Sequence, residues 1–188
     1  MRSSRGGPAG RVSPDRPNSL GPMEFEVRRA RTSDVKVIRR LVDTYTTDRR
    51  LLSKATVTLY ESVQEFWVAA RPDGEVVGCG ALHVMWEDLA EIRTVAVDPA
   101  HRGRKIGHRI VSELLGVARE LGVARVFCLT FETSFFGSFG FESIDGAPVP
   151  HAVYEQLLRS YDEGVAEFLD LERVKPNTLG NTRMLLHL

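Results

Sequence analysis

The chain has 188 residues, enough for one ordinary domain with a well-packed core. Its 25 basic and 25 acidic side chains give a formal net charge of zero, so neither a nucleic acid nor an anionic membrane surface is an expected partner. No apolar run is long enough to cross a membrane, and no apolar signal segment opens the chain, which predicts a cytoplasmic protein.

Residues 1–22 are rich in Gly, Pro, Ser and Arg and poor in large apolar side chains. We predict a disordered tail there, followed by one domain over residues 23–188. A strand begins near residue 25, and Thr32-Ser33-Asp34 then offers an N-cap for a helix. The apolar face of that helix has five members: Val35, Ile38, Leu41, Val42 and Tyr45.

A weaker helical pattern follows, with Val57, Tyr60 and Val63 as its apolar face. Residues 66–69 and 76–86 are predicted strands, and the Pro72-Asp73-Gly74 turn between them has the residues that a tight turn requires. This part of the chain is therefore predicted to form a hairpin.

The most informative stretch covers residues 91–121. It starts with a β-branched strand that stops at Asp98-Pro99, continues through a short basic turn with glycines, and ends in an amphipathic helix. The apolar face of the helix has five members: Ile106, Ile110, Leu114, Val117 and Leu121. The N–H groups of a first helical turn point outwards, so such a turn is an anion site. Arg102, Arg104 and Lys105 add positive charge suited to phosphate.

The rest of the chain alternates between strands and helices. We predict strands over residues 124–130, 140–144 and 182–186, and helices over 134–139, 153–161 and 164–171. The resulting order predicts an α/β (α+β) fold in which a mixed sheet carries helices on both faces. Cys79 and Cys128 lie within strands and are expected to be buried thiols; no residue spacing suggests a metal site.

The segment VAVDPAHRGRKIGHRIV, residues 95–111, resembles the acetyl-CoA-binding motif of the GNAT acetyltransferase superfamily, [Q/R]-x-x-G-x-[G/A]. Arg102 takes the first position and Gly107 the last, while Lys105 stands where the inner Gly usually is. The resemblance implies the GNAT fold, with a mostly antiparallel mixed sheet, and acetyl-CoA as co-substrate. It places six residues at the coenzyme pyrophosphate: Arg102, Gly103, Arg104, Lys105, Ile106 and Gly107. It places three at the pantetheine arm and the oxyanion: Val95, Ala96 and Val97.

The segment LTFETSFFGSFGF, residues 129–141, narrows the resemblance. Many GNAT enzymes carry a tyrosine acid where this chain has Phe136, so either solvent or another group must protonate the leaving thiolate. Phe136 itself is expected to line the coenzyme cleft. Together with EIRTVAVDPAHRG and GNTRMLL, the segment resembles the short actinobacterial amino-acid N-acetyltransferases, which are N-acetylglutamate synthases. This implies acetylation of the α-amine of L-glutamate or L-glutamine, the first step of arginine biosynthesis.

Glu91 is the candidate catalytic base, and the alternative for it is a solvated or salt-bridged carboxylate at a strand end. Strand alternation puts Glu91, Arg93, Val95 and Val97 on one face, unless a bulge shifts the phase. A dicarboxylate substrate needs at least two cationic or strong donor groups. By position in the family, the candidates are Lys54 for one carboxylate and Asn181, Thr182 and Arg183 for the other, with Arg93 as a further option.

Two other functions stay open at this point. One is a GNAT enzyme that acetylates a polyamine, an aminoglycoside or a protein amine. The other is a non-catalytic acyl-CoA sensor, which the missing tyrosine would suit. GNAT enzymes are often dimers, so the resemblance also points to a homodimer. His83 lies in an apolar strand and is expected to be a satisfied core histidine.

Overall fold

The computed structural model describes residues 25–46, 54–174 and 180–188, so the predicted tail over residues 1–22 lies outside the described residues. The strands are β1 Glu26–Arg29, β2 Phe66–Ala70, β3 Val76–Trp86, β4 Leu89–Val97, β5 Arg125–Thr130, β6 Glu142–Ser143 and β7 Thr182–His187. The α-helices are α1 Val35–Thr46, α2 Thr56–Glu61, α3 Ile106–Glu120, α4 Thr133–Gly137, α5 His151–Leu157 and α6 Glu163–Phe168.

The strands form one mixed sheet in the order β1-β2-β3-β4-β5-β7-β6. Five of its pairs are antiparallel and the central pair, β4 with β5, is parallel. The hairpin predicted over residues 66–86 is the β2–β3 pair, with Gly74 at a φ of 88° in its turn. The predicted fold class, a mostly antiparallel mixed sheet between helices, is confirmed.

Helices cover both faces of the sheet. α3 and the Phe136 side chain of α4 pack on one face, while α1, α2, α5 and α6 contribute to two clusters on the other. α3 lies close to β3 because that strand has glycines where they meet. A Cβ on Gly78 would come within 2.9 Å of Ile106, and one on Gly80 within 2.7 Å of Ile110. In the described part of the chain, no helix is both long enough and apolar enough to span a membrane.

Two details of the helix predictions are wrong. The buried residue of α2 is Leu59, whereas Val57 and Tyr60, expected on the buried face, are 61% and 42% exposed. Leu121 was expected on the buried face of α3 but lies just beyond its end and is 58% exposed, because Gly122 turns the chain there with a φ of 81°.

A bulge in β4 corrects the prediction that four of its residues share one face. The β3–β4 register shifts between Cys79 and Ala81, opposite Thr94, whose φ is 58°. Val95 and Val97 pack against the α3 cluster, whereas Arg93 reaches Asp162 on the opposite side of the sheet. One extra residue in a strand reverses the alternation beyond it.

The parallel β4–β5 ladder is short. It runs only from Leu89 opposite Arg125 to Glu91 opposite Phe127. Beyond Glu91 the rest of β4, with its bulge, has no β5 partner in the described chain, so its backbone edge faces a cleft. The sheet therefore opens at the segment that the sequence singled out.

Candidate active site

The cleft between the separated ends of β4 and β5 has a volume of about 550 Å³. Seven of the predicted coenzyme residues line it: Val95, Ala96, Val97, Arg102, Gly103, Gly107 and Phe136. Arg93, a predicted substrate residue, lines it too. Arg104 and Lys105 lie in the adjacent turn, and Ile106 is the buried first residue of α3. The cleft thus connects residues 102–107, called the anion turn below, to the neighbourhood of Glu91.

The turn before α3 suits a phosphate ligand. The Lys105 side chain at the N-cap makes no capping hydrogen bond to this 15-residue helix, which suits N–H groups that point towards a ligand. Gly103 has a φ of 79°, and Lys105 has a φ of 60°, so the lysine takes the left-handed conformation at the place where the motif usually has glycine. A Cβ on Gly107 would make only ordinary contacts, 3.6 Å to Phe135 and to Val97. The missing side chain leaves room in the cleft, which fits the coenzyme pyrophosphate.

Tyr45 of α1 is a cleft residue that the sequence identified only as part of an apolar helix face. Its hydroxyl donates to the Val97 carbonyl oxygen at 2.5 Å and accepts from Arg102 Nη2 at 3.3 Å. The Arg102 guanidinium also lies over the tyrosine ring, 5.6 Å from its centroid. Tyr45 therefore fastens the end of β4 to the first arginine of the turn.

Phe136 packs in a cluster of aromatic rings. It meets Phe135 and Phe141 edge to face, with ring centroids 5.1 and 5.4 Å away. With no hydroxyl, it shapes the cleft wall and donates no proton.

Glu91 is deeply buried. It is 3% exposed, and within the described part of the chain its Oε2 has no hydrogen-bond partner. The Arg93 guanidinium lies 3.5 Å from that oxygen. Burial raises the pKa of the Glu91 carboxyl, and the charge of Arg93 opposes the rise. A carboxylate that readily accepts a proton in this way is suited to act as a base.

Arg93 is held by carboxylates from two other parts of the chain. Its Nη1 donates to the Asp162 oxygens at 2.8 and 2.9 Å, and its Nη2 donates to Glu65 at 2.9 Å. The other Glu65 oxygen lies 2.8 Å from His83 Nδ1, so the histidine is satisfied, though by a carboxylate of this network. Neither carboxylate was predicted from the sequence, because no local pattern links Glu65 or Asp162 to Arg93.

Lys54 and Glu167 belong to the same neighbourhood. Burial and the charge of Arg93 lower the pKa of the Lys54 ammonium, while Glu91, Asp162 and Glu167 oppose that change. Glu167 is 8% exposed, and burial, together with the nearby Glu91, raises its pKa to about 7. Glu167 is a further residue that the sequence did not indicate.

The predicted substrate residues Asn181, Thr182 and Arg183 are not among the residues that line the cleft, although Thr130, the β5 partner of Thr182, is. Arg183 Nη2 donates to the Phe168 carbonyl at the end of α6, and the guanidinium lies over the Phe127 ring, 5.8 Å from its centroid. Its buried Nε has no hydrogen-bond partner among the described residues, and burial lowers its pKa. Asn181 and Thr182 are half-buried, and Thr182 pairs with Thr130 of β5. The structure therefore groups Lys54 and Arg93 with Glu91, and puts Arg183 against α6.

The model of the acetyltransferase (GNAT) family matches residues 36–141, a range that includes the anion turn, Glu91 and Phe136. The chain belongs to the GNAT acetyltransferase family. It is 63% identical over 174 residues to an amino-acid acetyltransferase of Mycobacterium tuberculosis, covering 92% of this chain and 98% of that protein. It is 33% identical over 128 residues to an uncharacterised N-acetyltransferase of Chlorobaculum tepidum, covering 68% of this chain and 82% of the relative.

Solved structures agree with this assignment. The M. tuberculosis protein Rv2747, crystallised in complex with CoA and NLQ, superposes with a TM-score of 0.84 at 65% identity, covering 87% of this chain and 99% of that one. The N-acetylglutamate synthase of Neisseria gonorrhoeae, at 22% identity and a TM-score of 0.71, covers 87% of this chain and 35% of the synthase, and shares the fold. The predicted family, fold and class of acetyl-CoA-dependent N-acetyltransferase are confirmed.

Proposed function

We propose that the protein transfers the acetyl group of acetyl-CoA to the α-amine of L-glutamate or L-glutamine, the first step of arginine biosynthesis. The observation that carries the proposal is the 63% identity to the amino-acid acetyltransferase of M. tuberculosis, which extends over 92% of the chain. The cleft supports it, because the anion turn and Arg93 lie along the same 550 Å³ space. We also propose the cytoplasm as its compartment and a homodimer as its assembly.

In this proposal Glu91 accepts a proton from the substrate ammonium, directly or through water, so that the neutral amine can attack the thioester. Acetyl-CoA supplies the activated acetyl group. Backbone N–H groups near Val95 and Val97, on the unpaired edge of β4, stabilise the negative charge that develops on the thioester oxygen. The ammonium loses two protons in all. One ends on the coenzyme A thiol and the other in solvent.

Lys54 and Arg93 are the proposed cations for one substrate carboxylate, and Arg183 with Asn181 and Thr182 are the proposed donors to the second carboxylate of L-glutamate. Substrate analogues test this assignment. L-glutamate and L-glutamine are compared with their D-enantiomers and with 4-aminobutanoate, which lacks the α-carboxylate. The proposal predicts N-acetyl products, identified by mass spectrometry, from the two L-amino acids alone. Equal turnover of 4-aminobutanoate would contradict the role of an α-carboxylate clamp.

A polyamine acceptor is the second candidate, and one observation favours it. Four carboxylates lie close together around Arg93 and Lys54: Glu65, Glu91, Asp162 and Glu167. Such an acidic excess attracts a cationic amine. Spermidine therefore belongs in every substrate comparison, and its preferred acetylation would favour this function over the first.

A further inference from the structure

Gly164, the second residue of α6, lies directly against the Glu91 carboxylate. An ideal Cβ built on this glycine would be 2.0 Å from Glu91 Oε2 and 2.9 Å from its Cδ. Real Cβ atoms do not come within 3.0 Å of other heavy atoms, so even a methyl group at residue 164 requires Glu91 or α6 to move.

The backbone of α6 does not itself require a glycine at this position. The φ of Gly164 is outside the left-handed region, and the residue lies in a regular helix, where alanine is the more favourable residue. The very close approach to Glu91, with a second tight approach of 3.0 Å to Asp162 Oδ1, is therefore the physical reason in the structure for the absence of a side chain.

A second, independent contact fixes α6 at the same place. The carboxylate of Asp162, which caps α6 by accepting from the Val165 N–H, also accepts from Arg93 Nη1 at 2.8 Å. That same guanidinium nitrogen lies 3.5 Å from Glu91 Oε2. Glu91 Oε2 is thus approached by two residues: Arg93, which is on the same strand as Glu91, and Gly164, which is on α6.

We propose that Gly164 is a positioning residue for Glu91. Because Gly164 has no side chain, the Glu91 carboxylate can occupy the position from which it accepts a proton from the acceptor amine. The inference rests on the proposed role of Glu91 as the base. A misplacement of about 1 Å can cost a reaction roughly 100-fold in rate, so a side chain at residue 164 lowers turnover even if the protein remains folded. The Glu91 carboxylate is the end of a flexible side chain, and its displacement costs catalysis more than stability.

The test compares Gly164→Ala with Gly116→Ala, a matched control in the interior of α3 where a new Cβ meets nothing within 4 Å. We expect Gly164→Ala to lower kcat roughly 100-fold, with KM for acetyl-CoA unchanged, and Gly116→Ala to keep the normal kcat. Melting temperatures of both variants are measured beside the kinetics. Equal kcat values for the two alanine variants would overturn the proposal.

A shorter acid provides the decisive second variant. Glu91→Asp removes one methylene and opens space for the new methyl group, so adding Gly164→Ala to Glu91→Asp should cost little further kcat. If the loss of kcat in the double variant equalled the product of the losses in the two single variants, the contact between residues 91 and 164 would not be their cause. If Gly164→Ala alone does not fold, the double variant should regain the melting temperature of Glu91→Asp, and failure to do so also refutes it. Normal turnover by Glu91→Gln would instead overturn the proposed base, which separates the two claims.

Discussion

The buried Glu167 carboxyl predicts a specific pH dependence of the protein's thermal stability. Its pKa is about 7, raised from 4.5 by burial beside Glu91. That difference corresponds to roughly 3 kcal/mol of free energy. The Glu167 carboxyl of the folded protein keeps its proton at pH values where the same carboxyl of the unfolded chain has lost it. Stability therefore falls as pH rises from about 4.5 to about 7, and the contribution levels off above that.

Glu167→Gln removes this loss of stability with rising pH and keeps the shape of the side chain. We expect the variant and the original protein to melt at nearly the same temperature near pH 4.5. At pH 8 the variant should melt higher by roughly 6–12 °C, given about 2–4 °C per kcal/mol for a domain of this size. Thermal unfolding followed by circular dichroism at half-unit pH steps measures the difference.

Glu163→Gln is the control on the same helix. Glu163 lies at the surface in an ion pair with Arg173, 2.6 Å away, and exposed pairs contribute at most about 1 kcal/mol. The melting temperature of Glu163→Gln, plotted against pH, should stay close to that of the original protein, because the Glu163 charge is only a minor cause of the raised Glu167 pKa. A Glu167→Gln curve that also stays close to that of the original protein would refute the reasoning, because the buried carboxyl would then titrate normally.

Three further predictions concern single side chains. Glu91→Gln should lower turnover roughly 100-fold or more near pH 7.5, and less near pH 9.5 where the amine loses its proton unaided; an equal loss at both values would count against a base. Lys54→Ala should raise KM for the amino acid and leave that for acetyl-CoA unchanged, and a change confined to acetyl-CoA would refute its assignment. Lys105→Gly should melt about 2–4 °C above Lys105→Ala, since glycine alone relieves the left-handed backbone; equal melting temperatures would contradict that strain.

The anion turn was predictable because its information is local. It consists of six consecutive residues that lead from the end of β4 into the first turn of α3, and seven of the ten predicted coenzyme residues line the cleft. Lys105 was visible as a departure from the motif, and its φ of 60° is a left-handed conformation that glycine adopts without strain.

The environment of Glu91 was not predictable in the same way. Arg93 and Asp162 are 69 residues apart in sequence, and α6 reaches the site through the packing of the chain. Glu65, Asp162 and Glu167 look like ordinary surface acids in the sequence, but the fold half-buries the first two and buries Glu167. The bulge at Thr94 has no compositional signal either, because the residue with the positive φ is a threonine.

Free-thiol release from acetyl-CoA, scanned across the protein amino acids, spermidine and an aminoglycoside, identifies which amine the enzyme acetylates. We expect release with L-glutamate or L-glutamine, at a kcat/KM well above that for every other acceptor. Release with spermidine or the aminoglycoside alone would keep the fold and contradict the substrate. Binding of acetyl-CoA with no thiol release from any acceptor would contradict the account of Glu91 as a working base.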